Sequence, residues 1–320
     1  MDEFELIRRY FGSLGAARED VLLGVGDDAA LLRMPADADL AASVDTLVAG
    51  RHFPPQSDAR SIGHRAMAVN LSDLAAMGAT PAWATLALTL PGADADWLER
   101  FSSGFAQLAA AHGVALVGGD TTAGPLSVTV QIMGHVHRGT ALRRGGGREG
   151  DLLAVSGTLG DAAAGLALAT GALAAQDAAC AAELRSRFEY PTPRVELGIA
   201  ARGIASAAMD LSDGLAGDLP KLAAASGLGA RIDVGRLPLS RALQSLAHPD
   251  QARDFALGGG DDYELLLAVP PRRFEALAAR ARELNLTLSA IGELRRGNAL
   301  EWTLGAAPFV PRVQGYAHFR

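Results

Sequence analysis

Aspartate recurs along this chain where apolar runs end, usually beside glycine. The segments concerned are Gly26-Asp27-Asp28, Val44-Asp45-Thr46, Gly119-Asp120-Thr121, Asp210-Leu211-Ser212-Asp213 and Gly260-Asp261-Asp262. Each one taken singly fits a turn or a helix cap, because Asp and Gly are among the commonest turn formers. If strands of one sheet bring these carboxylates to one edge, two charges about 5 Å apart repel by roughly 3 kcal/mol at an effective dielectric of about 20. A bound cation removes that repulsion, so the set as a whole favours a metal site.

The expected cation is Mg²⁺, because carboxylate oxygens are hard ligands that suit it better than zinc or copper. The only lysine of the chain, Lys221, lies between Pro220 and Leu222. The sequence therefore has no G-x-x-x-x-G-K-[ST] phosphate loop. An acidic cluster without such a loop indicates metal-bridged phosphate chemistry, in which Mg²⁺ screens the phosphates of a nucleotide.

Composition excludes several other classes of protein. The chain has 320 residues and a net charge of −7 without a Lys/Arg-dense run, which argues against nucleic acid as its main partner. The uncharged stretch at 162–175 is shorter than the about 20 residues that a membrane-spanning helix needs. One cysteine, Cys180, cannot form an internal disulfide, and the acidic N-terminus does not resemble a secretory signal. A cytoplasmic protein without a membrane span is expected.

The elements that position the acidic residues are predicted to form a mixed α/β fold of two domains. Residues 1–137 are expected to form the N-terminal domain, 138–150 a linker rich in Arg and Gly, and 151–320 a C-terminal α/β domain. Apolar periodicity predicts helices at 4–11, 61–77 (capped by Ser61), 96–112, 161–173, 194–201, 215–225, 240–246 and 272–284. Strands are predicted at 21–25, 40–44, 83–90, 114–117, 127–136, 151–155, 207–209, 231–234, 264–269 and 286–291.

Six segments of the chain closely resemble the bacterial thiamine-monophosphate kinase family and occur in the family's order. They are residues 24–31, 45–53, 68–79, 118–122, 209–215 and 259–265. That family transfers the γ-phosphate of ATP to thiamine monophosphate, which gives thiamine diphosphate, and belongs to the superfamily of aminoimidazole ribonucleotide synthetase. The resemblance implies an N-terminal sheet domain that forms a homodimer, a C-terminal α/β domain, and a site for ATP and several Mg²⁺ ions in the cleft between them.

The resemblance also assigns roles to individual positions. The metal ligands that it implies are Asp28, Ser43, Asp45, Thr46, Asp73, Asp120, Asp210 and Asp213, with Asp28, Asp73, Asp120 and Asp210 as the catalytic set. The positions that match nucleotide contacts are Gly119, Asp120, Arg144 and Ser212, and those that match substrate contacts are His52, Asp261 and Tyr316. Arg144 is the expected phosphate clamp, because a guanidinium binds two oxygens at once. Tyr316 offers an aromatic face to the cationic thiazolium.

One position departs from the family pattern. Asp261 stands where the family usually has Glu, and the shorter side chain retracts the substrate contact by about one methylene.

Two functions other than that of a thiamine-monophosphate kinase are compatible with these residues. The first is another ATP-dependent synthetase of the same superfamily, although the Cys and Lys nucleophiles of such enzymes have no counterpart here. The second is a thiamine-phosphate or nucleotide sensor without turnover, although binding alone does not require so many acidic residues.

Overall fold

A computed structural model describes residues 3–316 of the chain, which divide into two compact units. The first unit contains the described residues up to Leu74 together with Ala79–Gly139. The second contains Ala75–Gly78 and the described residues from Thr140 onward. The mixed α/β fold class expected from the sequence is therefore confirmed.

The first unit is built around a four-stranded sheet whose strands follow the order β3-β6-β4-β5. Strands β4 and β5 are parallel, and the other pairings are antiparallel. Val128, Val130 and Ile132 of β6 have no exposed surface, so the middle of one face of the sheet belongs to the core. The elements are α1 Glu3–Tyr10, β1 Val21–Leu23, β2 Leu31–Leu32, β3 Ala38–Val48, α2 Ala59–Ala76, β4 Thr80–Leu90, α3 Ala95–Ala111, β5 Ala115–Ala123 and β6 Ser127–His137.

The second unit is built around a seven-stranded sheet of order β13-β12-β9-β11-β7-β10-β8. Every residue of β10 is buried, and so is every residue of its neighbour β7 after the first. The elements are β7 Leu152–Ser156, α4 Asp161–Ala169, α5 Ala178–Glu189, α6 Val195–Ala201, β8 Ala207–Leu211, α7 Leu215–Ala225, β9 Gly229–Asp233, α8 Arg241–Leu246, α9 Pro249–Gly258, β10 Glu264–Val269, α10 Pro271–Glu283, β11 Leu288–Arg295, β12 Leu300–Leu304 and β13 Ala307–Pro308. Throughout residues 3–316, no helix is both long enough and apolar enough to span a bilayer.

Some sequence-based expectations are wrong in detail. Helix α2 begins two residues before Ser61, whose hydroxyl donates to the carbonyl of Asp58 at 2.8 Å. Ser61 is therefore not the N-cap of that helix. Helix α4 ends at Ala169, because the hydroxyl and N–H of Thr170 bond to the carbonyl of Leu166 and Gly171 adopts a φ of 78°. The predicted helix at 161–173 was too long by one turn.

Candidate active site

Strand β3 and helix α2 bring three of the expected metal ligands together in the first unit. The hydroxyl of Ser43 donates a short hydrogen bond to the carboxylate of Asp73. Asp45 is two residues further along β3 on the same face, about 7 Å from Ser43 at the usual strand rise. All three side chains are partly buried. The structure therefore places Ser43, Asp45 and Asp73 in one neighbourhood.

A buried asparagine fixes this strand to this helix. Asn70 has no exposed surface, and its Oδ1 accepts the backbone N–H of Asp45 at 3.1 Å while its Nδ2 donates to the carbonyl of Ala66 at 2.9 Å. The side chain thus satisfies a backbone group on each element, as buried polar groups require. Asn70 lies in a segment that matches the family, but its bond to the strand could not be deduced from spacing.

His52, an expected substrate contact, is held in a defined tautomer. Its Nδ1 accepts the backbone N–H of Val48 at 2.9 Å, and its own backbone N–H donates to the carbonyl of Val48 at 3.0 Å. Because Nδ1 acts as an acceptor, the neutral ring carries its proton on Nε2. The turn after β3 therefore fixes the orientation of the imidazole.

Thr46 and Asp120 lie on the other face of the same sheet. The strand register places Thr46 beside Thr129, Thr129 beside Ala87 and Ala87 beside Asp120. Paired residues point to one face and neighbours along a strand alternate, so this row faces away from Asp45. Three strand spacings separate its two ends, or about 14 Å. Within one chain, the carboxylates of Asp45 and Asp120 therefore do not bind the same metal ion.

Gly119 precedes Asp120 at a point where the backbone leaves no room for a side chain. Its φ is 151°, and a Cβ atom there would lie 1.9 Å from the carbonyl oxygen of Leu86 on β4. Glycine is therefore required for the close approach of β4 and β5. Asp28, by contrast, is exposed in the turn between β1 and β2, where its N–H donates to Oδ1 of Asp27 at 2.8 Å.

The second unit assembles its expected site residues at the end of β8. Asp210 is buried on this strand, and Ser212 and Asp213 form the turn before α7. Oδ2 of Asp218 accepts the N–H of Ser212 at 3.0 Å and that of Asp213 at 2.9 Å. Lys221 donates to Oδ2 of Asp213 at 2.6 Å and to Oδ1 of Asp218 at 2.8 Å. The turn is thus shaped by the buried Asp218, which the sequence did not single out.

Two further expected contacts lie against the same turn. The N–H of Asp261 donates to the carbonyl of Ser212, and the N–H of Tyr316 donates to the carbonyl of Asp213, both at 2.9 Å. Asp261 is half-buried, whereas Tyr316 is 42% exposed. The structure therefore brings Asp210, Ser212, Asp213, Asp261 and Tyr316 together within the second unit.

Arg144 is exposed, and its main chain is fixed beside the end of α7. Its carbonyl accepts the hydroxyl of Ser226 at 3.2 Å, and that hydroxyl accepts the N–H of Gly147 at 3.1 Å. The carbonyl of Arg143 accepts the N–H of Ala208 at the start of β8. This segment is consequently anchored while the Arg144 side chain reaches solvent.

Buried charges form a network next to the Asp261 loop. Glu264 has no exposed surface and accepts Arg194 Nε at 2.7 Å, Arg187 Nη2 at 2.8 Å and the hydroxyl of Ser156 at 2.6 Å. Burial raises the pKa of the neighbouring Asp262 well above its ordinary value, although the N–H of Gly160 acts in the opposite direction. This network was not predicted from the sequence. Its one visible sign there is Glu264, an acidic residue at the start of an apolar strand.

The donor chemistry of the first unit suits Mg²⁺. Ser43, Asp45 and Asp73 offer only oxygen atoms, which Mg²⁺ prefers. Across residues 3–316, no three His, Cys, Asp or Glu side chains are arranged so that they could hold a metal ion. The three side chains therefore offer hard oxygen ligands, but within residues 3–316 no further carboxylate joins Asp45 and Asp73 to complete a metal site.

Comparisons with known proteins agree with this architecture. The family model of the AIR synthase related protein N-terminal domain matches residues 26–136, and that of the C-terminal domain matches residues 148–304. Thiamine-monophosphate kinase of Escherichia coli is 48% identical over 318 residues, which cover 99% of this chain and 98% of that protein.

Two solved structures are also similar. The crystal structure of thiamine-monophosphate kinase from Stenotrophomonas maltophilia K279a has a TM-score of 0.85 and 50% identity, and the match covers 89% of this chain and 92% of the other. The structure described as AaThiL complexed with AMPPCP and TMP has a TM-score of 0.80 and 31% identity over 92% of each chain.

The two units with their acidic turns define a protein of the AIR synthase related class, since both domain models of that class match. Nearly the whole chain aligns with thiamine-monophosphate kinases. The chain belongs to the thiamine-monophosphate kinase family.

Proposed function

We propose that this chain transfers the γ-phosphate of ATP to thiamine monophosphate and forms thiamine diphosphate, the last step of thiamine diphosphate biosynthesis. The observation that carries the proposal is the 48% identity to a thiamine-monophosphate kinase over 99% of the chain. A relative of 31% identity has been solved in complex with an ATP analogue, AMPPCP, and with TMP. The enzyme is accordingly a phosphotransferase whose acceptor is a phosphate group.

The acceptor phosphate is already ionised near neutral pH, so the reaction requires no protein base. The task of the chain is to position two anions for direct in-line transfer. Bound Mg²⁺ supplies charge neutralisation between the phosphates. The residues proposed to hold Mg²⁺ are Asp28, Ser43, Asp45, Thr46, Asp73, Asp120, Asp210 and Asp213.

Nucleotide and substrate are proposed to contact different side chains. Gly119, Asp120, Arg144 and Ser212 bind ATP, and the exposed guanidinium of Arg144 is suited to a phosphate because its N–H groups form a planar fork. His52, Asp261 and Tyr316 bind thiamine monophosphate. His52 presents an N–H at Nε2, because Nδ1 is occupied by the N–H of Val48.

We further propose that the protein is a cytoplasmic homodimer that uses neither nucleic acid nor a membrane. Leu40 and Val44 of the edge strand β3 are 54% and 58% exposed, and their shared face is open to a second copy. Apolar residues exposed in this way mark surfaces that associate. Light scattering coupled to gel filtration tests this proposal, and a monomer at micromolar concentration contradicts it.

The kinase is tested by incubating the chain with ATP, Mg²⁺ and thiamine monophosphate. Stoichiometric thiamine diphosphate and ADP are expected. ADP release without thiamine diphosphate would favour another synthetase of the superfamily, and binding of both ligands without turnover would favour a sensor. Asp73→Asn is expected to lower kcat by about 100-fold or more, because electrostatic stabilisation is lost. Asp39→Asn, at an exposed position of β3, is the matched control and should retain activity.

A further inference from the structure

Asp262 is a buried acid directly after the proposed substrate contact Asp261, and its side chain binds the start of a helix. Only 4% of Asp262 is exposed. Its Oδ2 accepts the N–H of Gly160 at 2.7 Å, and its Oδ1 is 3.4 Å from the N–H of Ala162. Amides at the start of a helix have no partner within that helix. Asp262 therefore fastens residues 258–263 to the start of α4.

The residues on either side of Asp262 have an unusual backbone. Asp261 has a φ of 71° and Tyr263 a φ of 50°. Side chains other than glycine rarely adopt this left-handed region, and they remain there only where their surroundings enforce it. Here the N–H of Asp261 bonds to the carbonyl of Ser212, and that of Tyr263 to the carbonyl of Leu211, both at 2.9 Å. Three consecutive residues are thus tied to fixed elements.

The surroundings of this loop leave it little freedom. A Cβ atom at Gly259 would lie 2.3 Å from the side chain of Ala163, and one at Gly260 would lie 2.3 Å from the carbonyl of Ser212. The ring of Tyr263 is 7% exposed, and its hydroxyl lies 3.2 Å from Oδ1 of Asp261. The direction of the Asp261 carboxylate is therefore set by a neighbouring side chain as well as by the main chain.

We infer that Asp262 and Tyr263 are positioning residues, which hold the carboxylate of Asp261 where it contacts thiamine monophosphate. The inference rests on the function proposed above. Asp261 is one methylene shorter than the glutamate usual in the family. Whether its carboxylate reaches thiamine monophosphate therefore depends strongly on where the main chain places it. Asp262 fixes that main chain, and Tyr263 fixes the rotation of the carboxylate.

Tyr263→Phe and Asp262→Asn test the inference through steady-state kinetics. Tyr263→Phe should raise the KM for thiamine monophosphate by about 3-fold and Asp262→Asn by about 10-fold, since each loosens a contact made equally in the ground and transition states. The kcat and the KM for ATP should change by less than about 2-fold. The phenylalanine variant keeps the packing of the ring, so it provides the test even if Asp262→Asn fails to fold.

Asp177→Asn is the matched control, because Asp177 caps α5 by accepting the N–H groups of Ala179 and Cys180 at 2.9 and 3.0 Å. It should change neither KM, because Asn caps a helix about as well as Asp does. If Asp262→Asn and Tyr263→Phe likewise leave the KM for thiamine monophosphate unchanged while the parent enzyme is active, the inference is overturned and the proposed function stands. A parent chain that forms no thiamine diphosphate overturns both.

Discussion

The ammonium group of Lys221 lies 2.6 Å from Oδ2 of Asp213, so the only lysine of the chain occupies one of the expected metal ligands. The same group lies 2.8 Å from Oδ1 of the buried Asp218. A cation bound at Asp213 must share or displace this ammonium group. Lys221 neutralises part of the negative charge of this turn, so less of that charge is available to Mg²⁺ than its carboxylates would supply without Lys221.

Replacing Lys221 by Met is expected to tighten Mg²⁺ binding in the presence of a non-hydrolysable ATP analogue. The gain should be about 2- to 5-fold, as for an ion pair worth about 0.4–1 kcal/mol, because Lys221 is 43% exposed and its attraction is screened. Isothermal titration calorimetry measures it. Lys221→Arg keeps the positive charge and serves as the control; equal affinity in the Met variant and the parent would contradict the competition.

Arg194→Met is expected to destabilise the second unit strongly. The variant leaves the fully buried carboxylate of Glu264 with Arg187 as its main cationic partner. Removing one member of a buried ion pair costs about 3 kcal/mol or more. Urea unfolding measures the difference. Arg280→Met breaks an ion pair with Glu283 in which both side chains are more than half exposed, and it should cost less than about 1 kcal/mol. Similar losses in the two variants would refute the role of burial.

Gly119→Ala is expected to disrupt the sheet of the first unit. The added Cβ atom would lie 1.9 Å from the carbonyl oxygen of Leu86, so β4 and β5 must separate. Gly139→Ala is the matched control, because Gly139 has a φ of 73° with no atom within 4 Å of the added carbon. It should cost only the about 1–2 kcal/mol of a left-handed alanine. Thermal unfolding compares the two; a Gly119→Ala protein as stable as the control would contradict this packing.

Asp20 should give the first unit a stability that depends on pH. Hydrogen bonds from Arg18, aided by one from Trp83, hold the pKa of the Asp20 carboxyl below its ordinary value of 3.8. A depressed pKa in the folded state contributes stability above pH 3.8, and this contribution is lost as the pH falls through the folded value. The stability difference between the parent and Asp20→Asn should therefore be largest near neutral pH and shrink in acid. Denaturant unfolding at several pH values checks the trend, and a difference independent of pH would exclude it.

Elements with a continuous apolar run or a sharp local signal could be predicted from the sequence. The bounds of α7 and β10 match the predicted 215–225 and 264–269. Helices α5 and α9 were missed because their apolar residues are few and irregular, although Asp177 and Pro249 stand at their first turns. Their stability comes from packing against other helices, which a local pattern does not contain.

The arrangement of the site could be predicted only in part. Motifs identified the acidic positions. The pairing register of the sheet, however, decides that Asp45 and Asp120 point to opposite faces, and local spacing does not contain that register. A similar limit applies to the similar letters of residues 70–74 (NLSDL) and 210–215 (DLSDGL), which could suggest a repeat. The first segment is helical, whereas the second leaves a strand. The buried partners Asp218 and Asp262 become visible only when distant segments meet.

Because Lys221 is the only side-chain amine, reagents that acylate amines can modify a single side chain in the entire protein. Apart from the α-amino group, a fluorophore introduced in this way reports from one defined point next to Asp213. A carbodiimide, which joins an amine to a touching carboxylate, would cross-link that same point to the turn. The chain therefore offers a spectroscopic probe position without any engineering.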